Sequence, residues 1–290
     1  MNSGSFVAIV TPFHDDLTIN HDRFAELLEW HIEQGTDGIV VLGTTGEAPT
    51  ISTEEKLRLF EQAVAVVNGR VPVIAGTGSN DTMQTLALSH QASALGVDGL
   101  LLVSPYYNRS NDAGLIQHFT TIADHVDLPI ILYNVPGRTG QSLPIEVVRT
   151  LSHHERIIGI KEASGNLSYA ARVAAATADD FLLFSGNDDV VLPVLSLGGS
   201  GVISVAANVI PGVMSKMVHA YLAGDVKTAT HLQLEYLDLI DSLFIENNPI
   251  PVKELMNMMG LEVGGYRLPL YPMSGQNKSI LNDIHRRYFQ

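Results

Sequence analysis

Short apolar runs alternate with amphipathic stretches along most of the chain. The runs are five residues long, which is typical of strands buried on both faces of a parallel sheet. They lie at 6–10, 38–42, 71–75, 99–103, 129–133, 157–161, 181–185 and 201–205. Between the runs, apolar residues recur at three- and four-residue intervals, which predicts helices. These helices lie at 21–34, 53–67, 81–95, 113–125, 144–151, 167–176 and 190–197.

Eight strands that are each separated from the next by one helix predict an α/β fold, the (β/α)8 TIM barrel. A doubly wound open sheet is the alternative, and it needs a glycine-rich phosphate loop after its first strand. The segment Thr11-Pro12-Phe13-His14 stands there instead, and Gly76-Thr77-Gly78 is only a fragment of such a loop. We therefore predict a barrel over 1–210 and a C-terminal helical extension over 211–290.

Composition narrows the possible partners. Apolar residues make up 46% of the 290 residues, and the formal charge is −14. Such a charge argues against nucleic acid or an anionic membrane as a partner, so anionic substrates need local positive groups. The chain has no cysteine, no basic and apolar leader, and no apolar run of the roughly 18 residues that span a bilayer. We expect a cytoplasmic protein.

Lys161 is the first candidate for chemistry because it ends the apolar run 157–160. An ammonium at the end of a buried strand is poorly hydrated, and poor hydration favours the neutral amine. A neutral lysine amine is a nucleophile that forms a Schiff base with a carbonyl compound. Taken alone, Lys161 could equally reach past the strand end into solvent.

Other reactive side chains follow the other predicted strands, where a barrel gathers its active site. One lysine, three tyrosines, two adjacent hydroxyls and one arginine converge there, in Gly43-Thr44-Thr45-Gly46-Glu47, Ser104-Pro105-Tyr106-Tyr107-Asn108, Tyr133-Asn134-Val135-Pro136-Gly137-Arg138-Thr139-Gly140, Lys161 and Ser185-Gly186-Asn187-Asp188. The set lacks a histidine or carboxylate cluster with metal-ligand spacing, so we expect no metal site. It suits carbonyl chemistry through an imine.

Each member of this set also has a purely structural interpretation. Tyr133 fits a half-buried tyrosine at a strand end, residues 43–46 fit a plain turn, and Arg138 fits a surface charge on a Pro-Gly turn. Glu47, Glu162 and Asp188 fit helix caps as well as they fit a site. All of these residues occur together at successive strand ends, which rarely happens by chance and therefore favours a functional site.

The same motifs, together with Lys161-Glu162-Ala163-Ser164-Gly165-Asn166 and Asn248-Pro249-Ile250-Pro251-Val252-Lys253, resemble those of the dihydrodipicolinate synthase family. The resemblance runs nearly from end to end. It implies condensation of pyruvate with aspartate semialdehyde in the diaminopimelate branch of lysine biosynthesis, without a cofactor. It also implies a homotetramer built as a dimer of dimers.

The resemblance assigns roles to particular residues. Lys161 would form the imine with pyruvate, while Tyr133 and Thr44 would form a proton relay. Tyr107 would complete that relay from a neighbouring subunit.

The resemblance also assigns residues to the two substrates. Thr45 and the backbone at Gly186 and Ile203 would hold the pyruvate carboxylate. Arg138 would bind the carboxylate of aspartate semialdehyde at the mouth of the site.

Two rival functions share parts of this pattern. N-acetylneuraminate lyase and other pyruvate aldolases carry the same lysine and tyrosine, but Arg138 and the second threonine, Thr45, resemble the synthase. A non-catalytic, pyruvate- or lysine-sensing barrel should have lost part of the relay. Thr44, Tyr107, Tyr133 and Lys161 are all present, so we favour the synthase.

We expect lysine to inhibit this protein weakly or not at all. Family members that lysine inhibits place a glutamate at the position of Gln84 and histidines near Thr53 and Lys56. Gln84 offers no carboxylate to the ammonium groups of lysine, and Lys56 adds a like charge, although Asn80 and Tyr106 remain. Steady-state assays over a lysine titration test this, and half-maximal inhibition below the millimolar range would contradict it.

Overall fold

A computed structural model describes residues 3–290, and it contains a closed barrel of parallel strands. The strands follow one another in sequence order, and the last pairs with the first. They are β1 Gly4–Ala8, β2 Gly38–Val41, β3 Val73–Gly76, β4 Gly99–Val103, β5 Ile130–Asn134, β6 Ile157–Glu162, β7 Leu182–Ser185 and β8 Gly201–Ser204. The predicted (β/α)8 fold class is confirmed.

Helices surround the barrel and continue beyond it. Those that connect the strands are α1 His21–Glu33, α2 Thr53–Val67, α3 Thr82–Ala94, α4 Asp112–Ala123, α5 Pro136–Thr139, α6 Ile145–Leu151, α7 Leu167–Ala176 and α8 Val191–Ser196. After β8 come α9 Pro211–Leu222, α10 Val226–Glu235, α11 Leu237–Ser242, α12 Ile250–Met258 and α13 Gly275–Phe289. Short 3-10 turns lie at Ala48–Thr50, Asp188–Val190 and Ala206–Asn208.

Several predicted boundaries are wrong by one or two residues. The first strand covers Gly4–Ala8 rather than 6–10, because the Val10 N–H donates to the side chain of Asn208 instead of continuing the ladder. The third strand begins at Val73, just after Pro72, which has no N–H to give to a neighbouring strand. Periodicity marks burial, whereas a strand ends where its backbone hydrogen bonds end.

The barrel interior is filled by side chains from the strands. The Phe6 and Phe184 rings meet edge to face with centroids 5.3 Å apart, and both side chains are buried. A Cβ atom on Gly38 would lie 2.1 Å from the Phe6 ring, so glycine at this position allows the ring to fill the barrel. Side chains therefore fill the barrel interior below the strand ends.

The C-terminal helices pack on the barrel. Helix α9 contacts β1, and Val252 and Leu255 of α12 are fully buried in the same apolar cluster as the outer faces of the strands. Asn248, Lys253 and Arg267 contact the loop that follows β2. Over residues 3–290 no helix is both long and apolar enough to cross a membrane.

Candidate active site

Lys161 and Tyr133 lie side by side at the ends of β6 and β5. They are paired in the parallel ladder, so their side chains leave the sheet on the same face. The Lys161 side chain is buried, and its Nζ lies 4.6 Å from the centroid of the Tyr133 ring. An amine held against a phenol ring in the barrel core can attack a carbonyl carbon and exchange protons with the phenol.

The turn after β2 presents two adjacent hydroxyls, those of Thr44 and Thr45. The Gly46 N–H donates to the Gly43 carbonyl oxygen (3.1 Å), and the Glu47 N–H donates to that of Thr44 (3.1 Å). A Cβ atom at Gly46 would meet the backbone of Leu42 at 3.0 Å, so the turn needs a glycine there. The Thr-Thr-Gly-Glu pattern is a tight, hydrogen-bonded loop as well as a candidate binding loop.

Asn248 links this loop to Arg138. Its Nδ2 donates to Thr45 Oγ1 at 3.0 Å, and its backbone carbonyl accepts from Arg138 Nη2 at 3.0 Å. Sequence reasoning noted Asn248 only as part of a family motif and gave it no role. No local pattern could have paired it with Thr45, because 203 residues separate the two.

A cavity of about 490 Å³ opens above these residues, and Thr44, Tyr133 and Arg138 line it. Lys161 and Thr45 do not line it, and the contact of Lys161 with the cavity wall is through Tyr133, whose ring centroid lies 4.6 Å from Nζ. Lys56 and Gln84, from α2 and α3, line the same cavity. Burial lowers the pKa of Lys56. Lys56 and Gln84, which we associated with lysine inhibition, thus share one open space with Thr44 and Tyr133.

Gly186 and Ile203 lie next to Lys161 or in the barrel interior. A Cβ atom on Gly186 would lie 3.0 Å from Cε of Lys161, so glycine leaves room for the lysine side chain. The Gly186 N–H already donates to the Glu162 carbonyl oxygen at 2.7 Å, so this position contributes open space rather than a free N–H. Ile203 is fully buried among the inward side chains of the barrel.

Tyr107 does not line the cavity of its own chain, unlike the predicted site residues Thr44, Tyr133 and Arg138. Its side chain is 93% exposed, and its backbone has a φ of 68° on the loop between β4 and α4. Its neighbour Tyr106 lines the cavity instead. The role of Tyr107 in a neighbouring subunit's relay stays a prediction.

The three carboxylates that sequence left open have separate structural roles. Asp188 Oδ2 accepts from the N–H groups of Val205 and Ala206 at 3.0 and 2.9 Å, at the start of a 3-10 turn. Glu162 accepts from the Asn134 side chain and the Ser164 N–H. Burial raises the pKa of both carboxyls. Asp188 is therefore a cap, whereas Glu162 braces the strand end beside Lys161.

Glu47 forms a buried ion pair with Lys253 rather than a helix cap. Lys253 Nζ lies 2.8 Å from Glu47 Oε1 and also donates to the Thr11 and Gly265 carbonyl oxygens. Both side chains are almost fully buried, and burial lowers the pKa of Lys253 to about 8, against the opposing charge of Glu47. The other carboxylate oxygen of Glu47 accepts from the Arg267 N–H at 3.2 Å. This pair fastens the loop after β2 to the C-terminal extension.

The described part of the chain, residues 3–290, holds no group of three or more histidine or acidic side chains that could bind a metal ion. A buried lysine and a tyrosine, paired across two strand ends of a closed barrel, define a class of (β/α)8 protein that carries carbonyl chemistry on an amine. The model of the dihydrodipicolinate synthetase family matches residues 1–287. The chain therefore belongs to the dihydrodipicolinate synthetase family, as its motifs indicated.

Individual relatives agree with this assignment. The chain is 49% identical over 286 residues to 4-hydroxy-tetrahydrodipicolinate synthase of a Thermoanaerobacter species, covering 98% of this chain and 96% of the relative. The corresponding enzyme structure from Methylacidiphilum fumariolicum superposes with a TM-score of 0.97 at 41% identity, covering 99% and 96% of the two chains. A dihydrodipicolinate synthase from Acinetobacter baumannii, solved with pyruvate, has a TM-score of 0.96 at 42% identity, covering 99% and 98%.

Replacing Lys253 by methionine should destabilise the protein strongly. Lys253→Met leaves the Glu47 carboxylate buried without its counter-ion, which costs about 3–5 kcal/mol of unfolding free energy. Urea unfolding followed by circular dichroism measures the loss. The double variant Lys253→Met/Glu47→Gln should recover part of it, because the remaining side chain is neutral.

Arg58→Met is the control for an exposed pair. Arg58 pairs with a glutamate, Glu54, at 2.7 Å, and both side chains are exposed. Loss of an exposed pair typically costs about 1 kcal/mol or less. Equal destabilisation by the two single variants would contradict a special role for the buried pair.

Proposed function

We propose that this chain condenses pyruvate, held as an imine on Lys161, with L-aspartate 4-semialdehyde to give 4-hydroxy-tetrahydrodipicolinate. The observation that carries the proposal is the buried Lys161 amine, 4.6 Å from the Tyr133 ring centroid at the strand ends. The names of relatives at 49% identity and the pyruvate complex of the Acinetobacter enzyme support the same substrates.

The first half of the reaction forms a carbon nucleophile. Lys161 Nζ attacks C2 of pyruvate, a tetrahedral carbinolamine forms, and water leaves to give the protonated imine. Loss of a proton from the methyl carbon then produces the enamine, with the iminium as electron sink. Tyr133 and Thr44, both in the cavity wall, relay these protons.

The second half makes a carbon–carbon bond and releases the enzyme. The enamine carbon attacks the aldehyde carbon, whose oxygen takes up a proton. The amino group of the former semialdehyde next attacks the imine carbon and displaces the Lys161 amine, which closes the ring. Lys161 is thereby regenerated, and one water has been lost overall.

The two carboxylates bind at opposite sides of this chemistry. Thr45, with the space left by Gly186 and the backbone at Ile203, receives the pyruvate carboxylate. Arg138, in the cavity wall, receives the carboxylate of the aldehyde through its planar guanidinium. Such local donors are needed because the overall charge of −14 repels anions.

Self-association completes the site in this proposal. Tyr107 is exposed on its own chain and stands outside its own cavity, so a partner subunit is the way to bring this phenol into a relay. We propose a homotetramer, a dimer of dimers, in which Tyr107 crosses an interface into the site of a neighbouring subunit.

Lys161→Ala should fold normally and form no adduct with pyruvate. Borohydride reduces an imine to a stable amine, so intact mass spectrometry and peptide mapping locate the pyruvyl group. Wild type should carry it on Lys161 and make product when aspartate semialdehyde is added. The alanine variant should lose turnover by on the order of 10³-fold or more.

Lys227→Ala serves as the lysine control, because Lys227 is exposed on α10. It should be labelled and turn over like wild type. An adduct on wild type without product would keep the imine and overturn aspartate semialdehyde as the acceptor. Near-normal turnover by Lys161→Ala would remove the lysine from the mechanism.

Tyr107→Phe should lower turnover by about 10²-fold while imine formation remains possible, because only proton relay is lost. Stopped-flow turnover and borohydride trapping separate the two steps. Tyr271→Phe, another exposed tyrosine, is the control and should leave both unchanged. Equal loss of trapping and turnover in Tyr107→Phe would mean that the phenol acts before the imine forms.

A further inference from the structure

Asn248 touches both residues that the proposed function assigns to substrate carboxylates. It lies between α11 and α12, and its side chain is buried. The amide Nδ2 donates to Thr45 Oγ1 at 3.0 Å, and the backbone carbonyl accepts from Arg138 Nη2 at 3.0 Å. Arg138 lines the cavity, whereas Asn248 and the buried Thr45 do not. Any effect of Asn248 on substrate therefore passes through Thr45 and Arg138.

The contact with Thr45 decides what the threonine hydroxyl can do. A hydroxyl has one proton to donate and two lone pairs, whereas an amide NH2 group only donates. Thr45 Oγ1 therefore accepts from Asn248, and its own proton remains available for another partner. No other hydrogen bond to Thr45 Oγ1 occurs within residues 3–290. A buried hydroxyl with a free proton is a suitable donor to a carboxylate.

The opposite orientation of the amide is less favourable. Asn248 Oδ1 is buried and has no partner within the described residues, so the present orientation leaves one carbonyl oxygen unpaired. A reversed amide would leave the NH2 group, with its two donors, in that place and would consume the Thr45 proton. Hydrogen bonding therefore favours the orientation in which Nδ2 faces Thr45.

The contact with Arg138 affects the proposed binding of the aspartate semialdehyde carboxylate. One Nη2 proton is directed at the Asn248 carbonyl, and this tethers one edge of an otherwise exposed guanidinium. The remaining N–H groups stay free for a second carboxylate, which a guanidinium binds through two parallel hydrogen bonds. Tethering also reduces the side-chain entropy that is lost when substrate binds.

The segment that carries Asn248 is itself anchored. Five residues further on, Lys253 pairs with Glu47, two residues beyond Thr45. The loop 45–47 and the segment 248–253 are therefore joined at both ends, by a hydrogen bond and by a buried ion pair. Such a double attachment keeps the amide opposite the hydroxyl.

We propose that Asn248 is a positioning residue that presets both carboxylate sites. Its amide fixes the Thr45 hydroxyl as a donor to the pyruvate carboxylate, and its carbonyl holds Arg138 in place for the carboxylate of the aldehyde. This inference rests on the proposed function. It adds the claim that the Thr45 hydroxyl donates to the pyruvate carboxylate. That claim can be wrong even if Lys161 forms the imine.

Asn248→Asp tests whether the Thr45 hydroxyl must donate to pyruvate, because it replaces the amide by a carboxylate with almost no change of shape. A carboxylate only accepts, so the Thr45 proton turns toward the introduced carboxylate and is lost to pyruvate. The pyruvate concentration that gives half-maximal borohydride trapping on Lys161 should rise about ten- to hundredfold, the effect of losing a hydrogen bond to a charged group. Asn247→Asp adds the same charge on an exposed neighbour and should leave this concentration unchanged.

The pH dependence of trapping distinguishes the loss of the Thr45 donor from a distortion of the site by the substitution. A protonated carboxyl at position 248 regains a donor, and burial raises the pKa of such a group. The ratio of the trapping constants, Asn248→Asp over wild type, should therefore fall toward one as the pH is lowered through that pKa. A ratio that stays constant across the pH range would mean that the variant is merely distorted, and it would overturn the proposal.

Asn248→Ala provides a test that introduces no buried charge. It frees the Thr45 hydroxyl to rotate, but its backbone carbonyl still holds Arg138. The KM for pyruvate should rise several-fold more than the KM for aspartate semialdehyde, with kcat affected less than either. An equal rise in both KM values would overturn the assignment, as would a trapping constant for Asn248→Asp equal to that of wild type. Absence of an adduct in wild type would instead refute the proposed function.

Discussion

The buried ion pair between Glu47 and Lys253 is the interaction on which the geometry of the site depends. Two charges removed from water are stable only when their remaining hydrogen-bonding groups are also satisfied. Here the ammonium donates to two backbone carbonyls as well as to Glu47, and the second carboxylate oxygen accepts from the Arg267 N–H. The loop that carries Thr44 and Thr45 is thereby fixed to the C-terminal extension, so the extension is part of the site.

Strand register supplies the other half of the site. Because β5 and β6 are neighbours in a parallel barrel, Tyr133 and Lys161 stand at the same level and on the same face. The Tyr133 ring lies against the Lys161 amine. Gly186 has no Cβ atom, so it leaves room for the Lys161 side chain. The chemistry proposed for β5 and β6 depends on strand register, whereas the carboxylate sites proposed for the loops depend on contacts with the C-terminal extension.

The sequence predicted the barrel and the family correctly, and it placed Lys161 and Tyr133 at strand ends, where the structure has them. It erred by up to two residues at strand boundaries, and it predicted no helix at 136–139, where the chain forms the short helix α5. Glu47 was left open between a cap and a site, and it proved to be one half of an ion pair. The division of the chain at residue 210 stays a prediction. The part played by Tyr107 also stays a prediction, because it involves a second subunit.

What the sequence determined by itself is local: the period of burial, the order of strands and helices, and the reactive side chains that follow each strand. Those properties depend on neighbours a few residues apart, so they are visible in the pattern of apolar positions. Only the tertiary structure decided which distant groups meet, such as Asn248 with Thr45 and Lys253 with Glu47. These contacts join residues separated by 203 and 206 positions, and they exist because closing the barrel and packing α12 on it bring two surfaces together that share no local signal.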